Sequence, residues 1–321
     1  MTDRLALALD GSTRVCSAAL LLPAGAGKAG GRLVGGSLRA EGRRGGRLGE
    51  GSWEVVARRA EVDGRGQAKV LLRLVDEMLE QLGAGPAELG AIVAGIGPGT
   101  FTGVRITVAT ARGLALALAI PVFGVSTLSA LAAGAAAGAG AAGAAMGERL
   151  VPVVDARRGQ VFFGVYEACA DPGRSGRVWT RSEDLGVCDR VGFGEMLAGR
   201  GWARALVVGE DRSLVGDLPP EARFLGAEVE AECLVRGQEL VEEGTDLVQR
   251  SRVSRWLLEA FTREPFALSG ATRNGAGVTL GPDAGGLGTP EALRPIYVRS
   301  PDADVHITKM KDPWADDSHR T

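Results

Sequence analysis

Apolar residues follow two periods along this chain, and each change of period marks an element. Leu5–Leu9 is an apolar run closed by Asp10, and Val15–Leu22 is a second run after a short polar turn. Together they predict a hairpin of buried strands. The pattern returns at Val151–Val154, Asp155 and Val161–Tyr166. Between the two hairpins, Val70, Leu71, Leu74, Val75, Met78, Leu79 and Leu82 fall at steps of one, three and four. That spacing over Ala68–Leu82 forms one apolar stripe, and a helix is expected at Gln67–Leu82. The stripe is that of a core-facing helix, and periodicity alone leaves open whether part of it meets another chain. Ala91–Ile96 reads as a strand, and Val104–Leu118 as a helix with Thr100 or Thr102 placed to cap it. Val122–Gly124 reads as a buried strand after Pro121, and a further helix is expected at Arg190–Ala198. A strand-rich opening that occurs twice, each time followed by α/β units, predicts two related α/β domains facing across a cleft.

The loop Gly97-Pro98-Gly99-Thr100-Phe101-Thr102-Gly103 joins the central strand to the second helix. Gly99 and Gly103 permit tight backbone geometry, and a helix N-terminus offers free N–H groups to an anion. Gly97, Gly99 and Thr100 are therefore candidate anion-binding residues. A P-loop is excluded, because none of Lys28, Lys69, Lys309 and Lys311 follows a glycine loop.

The formal net charge of −2 gives no global field for nucleic acid. Cys16, Cys169, Cys188 and Cys233 show no metal-ligand spacing and read as small buried hydrophobes in a reducing compartment. The only histidines are His306 and His319, so residues 1–305 offer no imidazole for a nucleophile–base pair or a histidine metal site. Arg112 and Glu148 bracket an uncharged stretch that imitates a membrane span, but Pro121 and the Ala/Gly-rich second half argue for a strand between two helices. Asp3, Arg4 and Asp10 interrupt any N-terminal leader pattern, and a cytoplasmic protein without a membrane partner is expected.

Residues 24–51 are rich in Gly and Arg. A solvated loop is favoured over an RNA-binding arm, since no aromatic interleaves for stacking. Residues 130–147 alternate Ala and Gly and predict a helix fraying into a loop. Thr245–Phe266 is helical in character, and Ser269–Thr289 is glycine-rich.

The segment from Gly97 to Ala132, GPGTFTGVRITVATARGLALALAIPVFGVSTLSALA, resembles the signature of the TsaB family, non-catalytic relatives and partners of the TsaD enzyme that makes threonylcarbamoyladenosine in tRNA. Leu5–Leu20, Gln67–Leu82, Val151–Val161 and Pro295–Arg299 are similar to further pieces of that family. The resemblance implies an α/β, two-domain actin-like ATPase fold with duplicated βββαβα-type domains. It divides the chain into a domain at 1–124 with an insertion at 24–51, a second domain at 125–244, an atypical insertion at 245–290 and a tail at 291–321. In actin-like ATPases a turn similar to Asp10-Gly11-Ser12-Thr13 holds phosphate through backbone N–H groups, with the aspartate organising a hydrated metal.

The implied function is a scaffold subunit for threonylcarbamoyl transfer to adenosine 37 of tRNA, with no catalytic residue and no metal. Histidines that bind metal in TsaD align with Thr127 and Leu131, and the second phosphate turn aligns with Asp155-Ala156-Arg157-Arg158-Gly159, whose arginines are bulky. The implied partners are a TsaD-like subunit in a heterodimer and a TsaE-like ATPase, with a homodimer when the chain is alone and tRNA reached through the complex. No cofactor is its own, and ATP or ADP is left to the complex interface. The pairing surface would combine Val70, Leu74 and Met78 with Gly103, Ala109, Arg112, Gly113 and Leu116. The alternative is an actin-like-fold ATPase or small-molecule kinase using the Asp10 turn.

Overall fold

The computed structural model describes residues 4–23, 53–62, 67–137, 148–170, 177–237, 241–242, 272–274, 277–279, 289–290 and 293–298. The first apolar runs form β1 (Leu5–Asp10) and β2 (Val15–Pro23), an antiparallel pair. With β3 (Trp53–Val62), β4 (Leu89–Gly95) and β5 (Val122–Val125) they build a sheet of order β3-β2-β1-β4-β5. The second sheet contains β6 (Arg149–Arg157), β7 (Gln160–Ala170), β8 (Arg177–Asp189), β9 (Leu206–Gly209), β10 (Arg223–Gly226) and β11 (Val241–Glu242). Its order is β10-β9-β6-β7-β8-β11. Apart from β11 this repeats the first sheet: three antiparallel strands, then two parallel ones on the far side of the first. The duplicated α/β fold is therefore observed. A small separate hairpin pairs β12 (Thr272–Asn274) with β13 (Gly277–Thr279).

Among the described residues five helices cover the sheets: α1 (Gln67–Leu82), α2 (Phe101–Leu118), α3 (Thr127–Ala137), α4 (Phe193–Gly199) and α5 (Ala231–Gly237). Strand alternation decides which face meets which helix. On β1, Leu5, Leu7 and Leu9 point into a core with Leu71, Leu74 and Met78 of α1 and with Val104 and Val108 of α2. Ala6 and Ala8 point to the opposite face, where their small size admits α5 through Leu234 and Val235. The middle layer crosses the halves: α3 packs on the second sheet, α5 on the first, and the two helices on each other. Phe193 and Leu197 of α4 cover the far face of the second sheet. Each fully buried leucine in these layers stabilises the fold by about 1.5–3 kcal/mol relative to exposure.

Several expectations need correction. Val70 (7% exposed), Leu74 (2%) and Met78 (0%) lie in the chain's own core, so the apolar stripe of α1 is not open to a partner. The second helix starts at Phe101 rather than Val104, with Thr100 at its N-cap but without a side-chain cap bond. The helix expected at Arg190–Ala198 begins later, because the Arg190 N–H donates to Gly159 O in the turn before α4. The edge strand β3 is an addition that its charged residues hid. The uncharged stretch after Arg112 is divided among α2, β5 and α3. Among the described residues only α2 is long and apolar enough to cross a membrane, and it packs on β4 instead. Residues 24–51, 138–147 and Thr245–Phe266, and both histidines, lie outside the described residues.

Candidate functional site: the interdomain cavity and the exposed face of the second helix

The glycine loop is fastened to the Asp10 turn by backbone contacts. The Thr100 N–H donates to Ser12 O at 2.6 Å, and the Thr127 N–H donates to Gly97 O at 2.8 Å. A Cβ at Gly99 would stand 2.2 Å from Ser12 O, and one at Gly103 would stand 1.9 Å from Gly11 O. Both glycines are required because two backbones meet there. This corrects the anion-cradle reading of the loop: Gly97 is buried, and the Thr100 N–H is already engaged. Gly103 also leaves the list of partner contacts, since it is buried against the Asp10 turn.

Asp10 ends β1 at 0% exposure. Its Oδ1 accepts from the Ser12 N–H at 3.0 Å and from Ser12 Oγ at 2.8 Å, and Ser12 Oγ lies 2.8 Å from Thr127 Oγ1. Burial raises the Asp10 carboxyl to about 7, opposed by the Ser12 hydrogen bonds and reinforced by the nearby Glu210 charge. At 0% exposure the Asp10 carboxyl is not among the groups that line the cavity between the halves. Asp10 and Gly11 are therefore structural, while Ser12 and Thr13 reach the cavity described next. Thr127 and Leu131, the positions aligned with metal-binding histidines, are 0% and 1% exposed and belong to the closed interior.

Where the two halves face each other, a cavity of about 220 Å³ opens. Ser12, Thr13, Arg14 and Thr100 line it from the first half, and Asp155, Arg157, Arg190, Glu210, Asp211 and Ser213 from the second. Asp155 is occupied: its Oδ1 accepts from Arg190 Nη2 at 2.6 Å and from the Arg157 N–H at 2.7 Å. Arg14 Nε pairs with Glu210 Oε2 at 3.5 Å across the halves. Arg158 and Gly159, with φ of 54° and 75°, make a two-residue turn between the paired Arg157 and Gln160. Holding an arginine in the left-handed region costs roughly 1–2 kcal/mol.

These residues do not fit the nucleotide that an actin-like fold implies. The first turn spends its Ser12 N–H on Asp10, and the second carries arginines where phosphate needs close backbone approach. The cavity is also below the roughly 300–1,000 Å³ of pockets for drug-sized ligands.

Sequence reasoning missed Arg14, Arg190, Glu210 and Asp211 as cavity residues. Glu210 and Asp211 carried a readable signal, standing just after an apolar strand as Asp10 does. Arg190 carried none, since only the fold brings it to Asp155.

A second feature is the outer face of α2. Phe101, Arg105, Ala109, Gly113 and Leu116 are exposed along it, with Arg112 half-buried beside them. Apart from the backbone of its own helix, no described atom comes within 4 Å of a Cβ built on Gly113. At the N-terminal end the Arg105 guanidinium lies 3.6 Å from the Phe101 ring centroid, and its Nε–H donates to Tyr297 Oη at 3.0 Å. The segment bearing Tyr297 is held by Leu293 in the core and by the Ile296 N–H donating to Ile96 O.

The family model described as TsaD: tRNA N6-adenosine threonylcarbamoyltransferase matches residues 61–172. The tRNA threonylcarbamoyladenosine biosynthesis protein TsaB of Escherichia coli is 37% identical over 97 residues, 30% of this chain and 39% of that protein. The Bacillus subtilis TsaB is 41% identical over 93 residues, 29% of this chain and 37% of that protein. The alignments thus span about two fifths of these curated relatives. A Pseudomonas aeruginosa crystal structure, described as an uncharacterized protein with similarity to peptidase YeaZ, superposes with a TM-score of 0.53 at 23% identity. That match covers 92% of this chain and 100% of the other, and it shows the shared fold. The partial similarity to TsaB proteins, the TsaD family-model match at residues 61–172 and the fold shared with the YeaZ-like structure agree with one another.

Proposed function

We propose that this chain is a non-catalytic scaffold subunit that enables a TsaD-type partner to transfer a threonylcarbamoyl group to adenosine 37 of tRNA. The names of its relatives support a role in threonylcarbamoyladenosine biosynthesis. The observation that carries the scaffold reading is the α2 face, where Ala109, Gly113 and Leu116 leave a low, partly apolar surface beside Arg112. Small residues at such a face let a second helix approach closely. The occluded Asp10 and the self-paired Asp155 support the absence of catalysis. In this reading the chain forms a heterodimer with the TsaD-type subunit through α2 and pairs with itself when alone. A TsaE-like ATPase joins the assembled complex, ATP or ADP is held there, and tRNA is reached through the complex in the cytoplasm.

The test is reconstitution of tRNA modification with purified partner, with and without this chain, alongside ATP turnover by the chain alone. The account expects modification to depend on the chain and no turnover by it. Turnover abolished by Asp10→Ala, with assembly unchanged, would instead make the chain an enzyme.

A further inference from the structure

The outer stripe of α2 carries two cations that the described residues do not neutralise. Arg105 and Arg112 stand seven residues apart, about 10.5 Å along the helix axis and within roughly 20° of each other around it. Neither pairs with a carboxylate among the described residues. The helix has no acidic residue, and none occurs in the sequence between Glu88 and Glu148. Arg105 is also held in one orientation. Its guanidinium lies 3.6 Å from the Phe101 ring centroid, and its Nε–H donates to Tyr297 Oη at 3.0 Å. Those two rings are 47% and 46% exposed, with centroids 6.0 Å apart. Stacking and the Nε bond leave the two terminal nitrogens of Arg105 for an acceptor from outside.

A long side chain fixed in this way has less rotamer freedom to lose on binding, and arginine so held makes a strong interface contact. The covering surface must then supply carboxylates. A second copy of this chain does not: a two-fold pair through α2 brings four arginines and no acid from either helix into one interface. Nor does the stripe suit an RNA strand. Ala109 lies between the two arginines, with Gly113 and Leu116 beyond, and that low apolar surface fits a packed helix rather than a row of phosphates.

We propose that the partner protein meets this face with an acidic helix, whose carboxylates, about two turns apart, engage Arg105 and Arg112. The inference rests on the scaffold reading of α2 and adds the chemistry of the partner's surface. The terminal nitrogens of Arg105 donate to one carboxylate in a planar, paired contact, with Phe101 and Tyr297 as positioning residues. Arg112 meets the second carboxylate beside Gly113, where no side chain stands between the helices. Charge then sets partner choice, because the acidic helix is attracted and a second copy is repelled.

The test is association of the full chain with a purified TsaD-type partner, measured by surface plasmon resonance between about 50 and 500 mM salt. Affinity should fall by about tenfold or more across that range. Arg105→Glu and Arg112→Glu should melt as the wild type does, weaken the partner by about tenfold or more each, and flatten the salt dependence. Arg105→Lys keeps the charge without the planar donor pair and should weaken it by a smaller factor. Tyr297→Phe should weaken the wild-type chain yet change nothing in an Arg105→Ala background, a coupling that a merely structural tyrosine would not show. Self-association should respond in the opposite sense: the wild type and the doubly reversed chain should pair with each other more tightly than either does with itself. Partner affinity unchanged in both folded reversals would overturn the proposal and leave the scaffold reading standing. So would reversals that abolish tRNA binding by the chain alone and spare the partner. No association of the wild-type chain with the partner at any salt would defeat the scaffold reading and this inference together.

Discussion

Asp10→Asn converts the raised carboxyl into a measurable pH dependence of stability. In the folded chain burial holds this group at about 7, against an ordinary aspartate value of 3.8. The folded state therefore keeps a proton that the unfolded chain releases. The contribution is fully present below about 3.8 and is lost as pH rises through about 7. Each unit of difference corresponds to about 1.4 kcal/mol, so the whole effect approaches roughly 4 kcal/mol. Asparagine imitates the protonated acid: its carbonyl can accept from the Ser12 N–H, and its amide can donate to Ser12 Oγ. Urea unfolding of both proteins at pH 5, 6 and 7 should show the wild type losing about 1.3 kcal/mol from pH 5 to 6 and about 1 kcal/mol from pH 6 to 7 relative to the variant, the slope falling as pH approaches the folded-state pKa. Titration of other groups cancels in the difference. Parallel pH dependences, within about 0.5 kcal/mol, would refute the claim that Asp10 is sealed and protonated.

The glycine loop gives a second set of outcomes. Gly99→Ala and Gly103→Ala each drive a Cβ into a carbonyl oxygen and should destabilise by about 1–3 kcal/mol or more in urea unfolding. Gly113→Ala, with open space around it in a helix interior, should instead stabilise the isolated chain by roughly 0.5–1 kcal/mol. Shortening residues 27–46 should leave the melting temperature nearly unchanged, because Pro23 and Trp53 are already paired and halving a loop alters closure entropy by only about 0.6 kcal/mol.

The elements that were legible are those whose pattern is local. The α1 stripe marked its helix and its C-terminal bound at Leu82, and the repeated run–aspartate–run pattern exposed the duplication. Edge strand β3 was not legible, because Glu54, Arg58, Arg59 and Glu61 reflect solvent on its open side. Short strands β9 and β10 are too brief for a period to register. At the site, Gly99 and Gly103 were readable as tight backbone. Whether they met an anion or another backbone depended on where the Asp10 turn lay. The cavity pairs Arg190–Asp155 and Arg14–Glu210 join residues distant in sequence, and no spacing encodes them. The same holds for α1: a stripe shows that a helix has an apolar face, whereas the sheet beneath decides whether that face remains free.

The scaffold account stands most directly on the outer face of α2, and Ala109→Trp tests it, with substitutions at Arg112 and Leu116 scanned in parallel. Ala109 is exposed, so the variant should fold and melt as the wild type does. Overpacking a close helix contact costs about 1–3 kcal/mol, roughly five- to a hundredfold in affinity. Association with a TsaD-type partner and tRNA modification, measured in one reconstituted system, should fall together by that factor. Normal pairing and full modification by folded variants at all three positions would contradict the account.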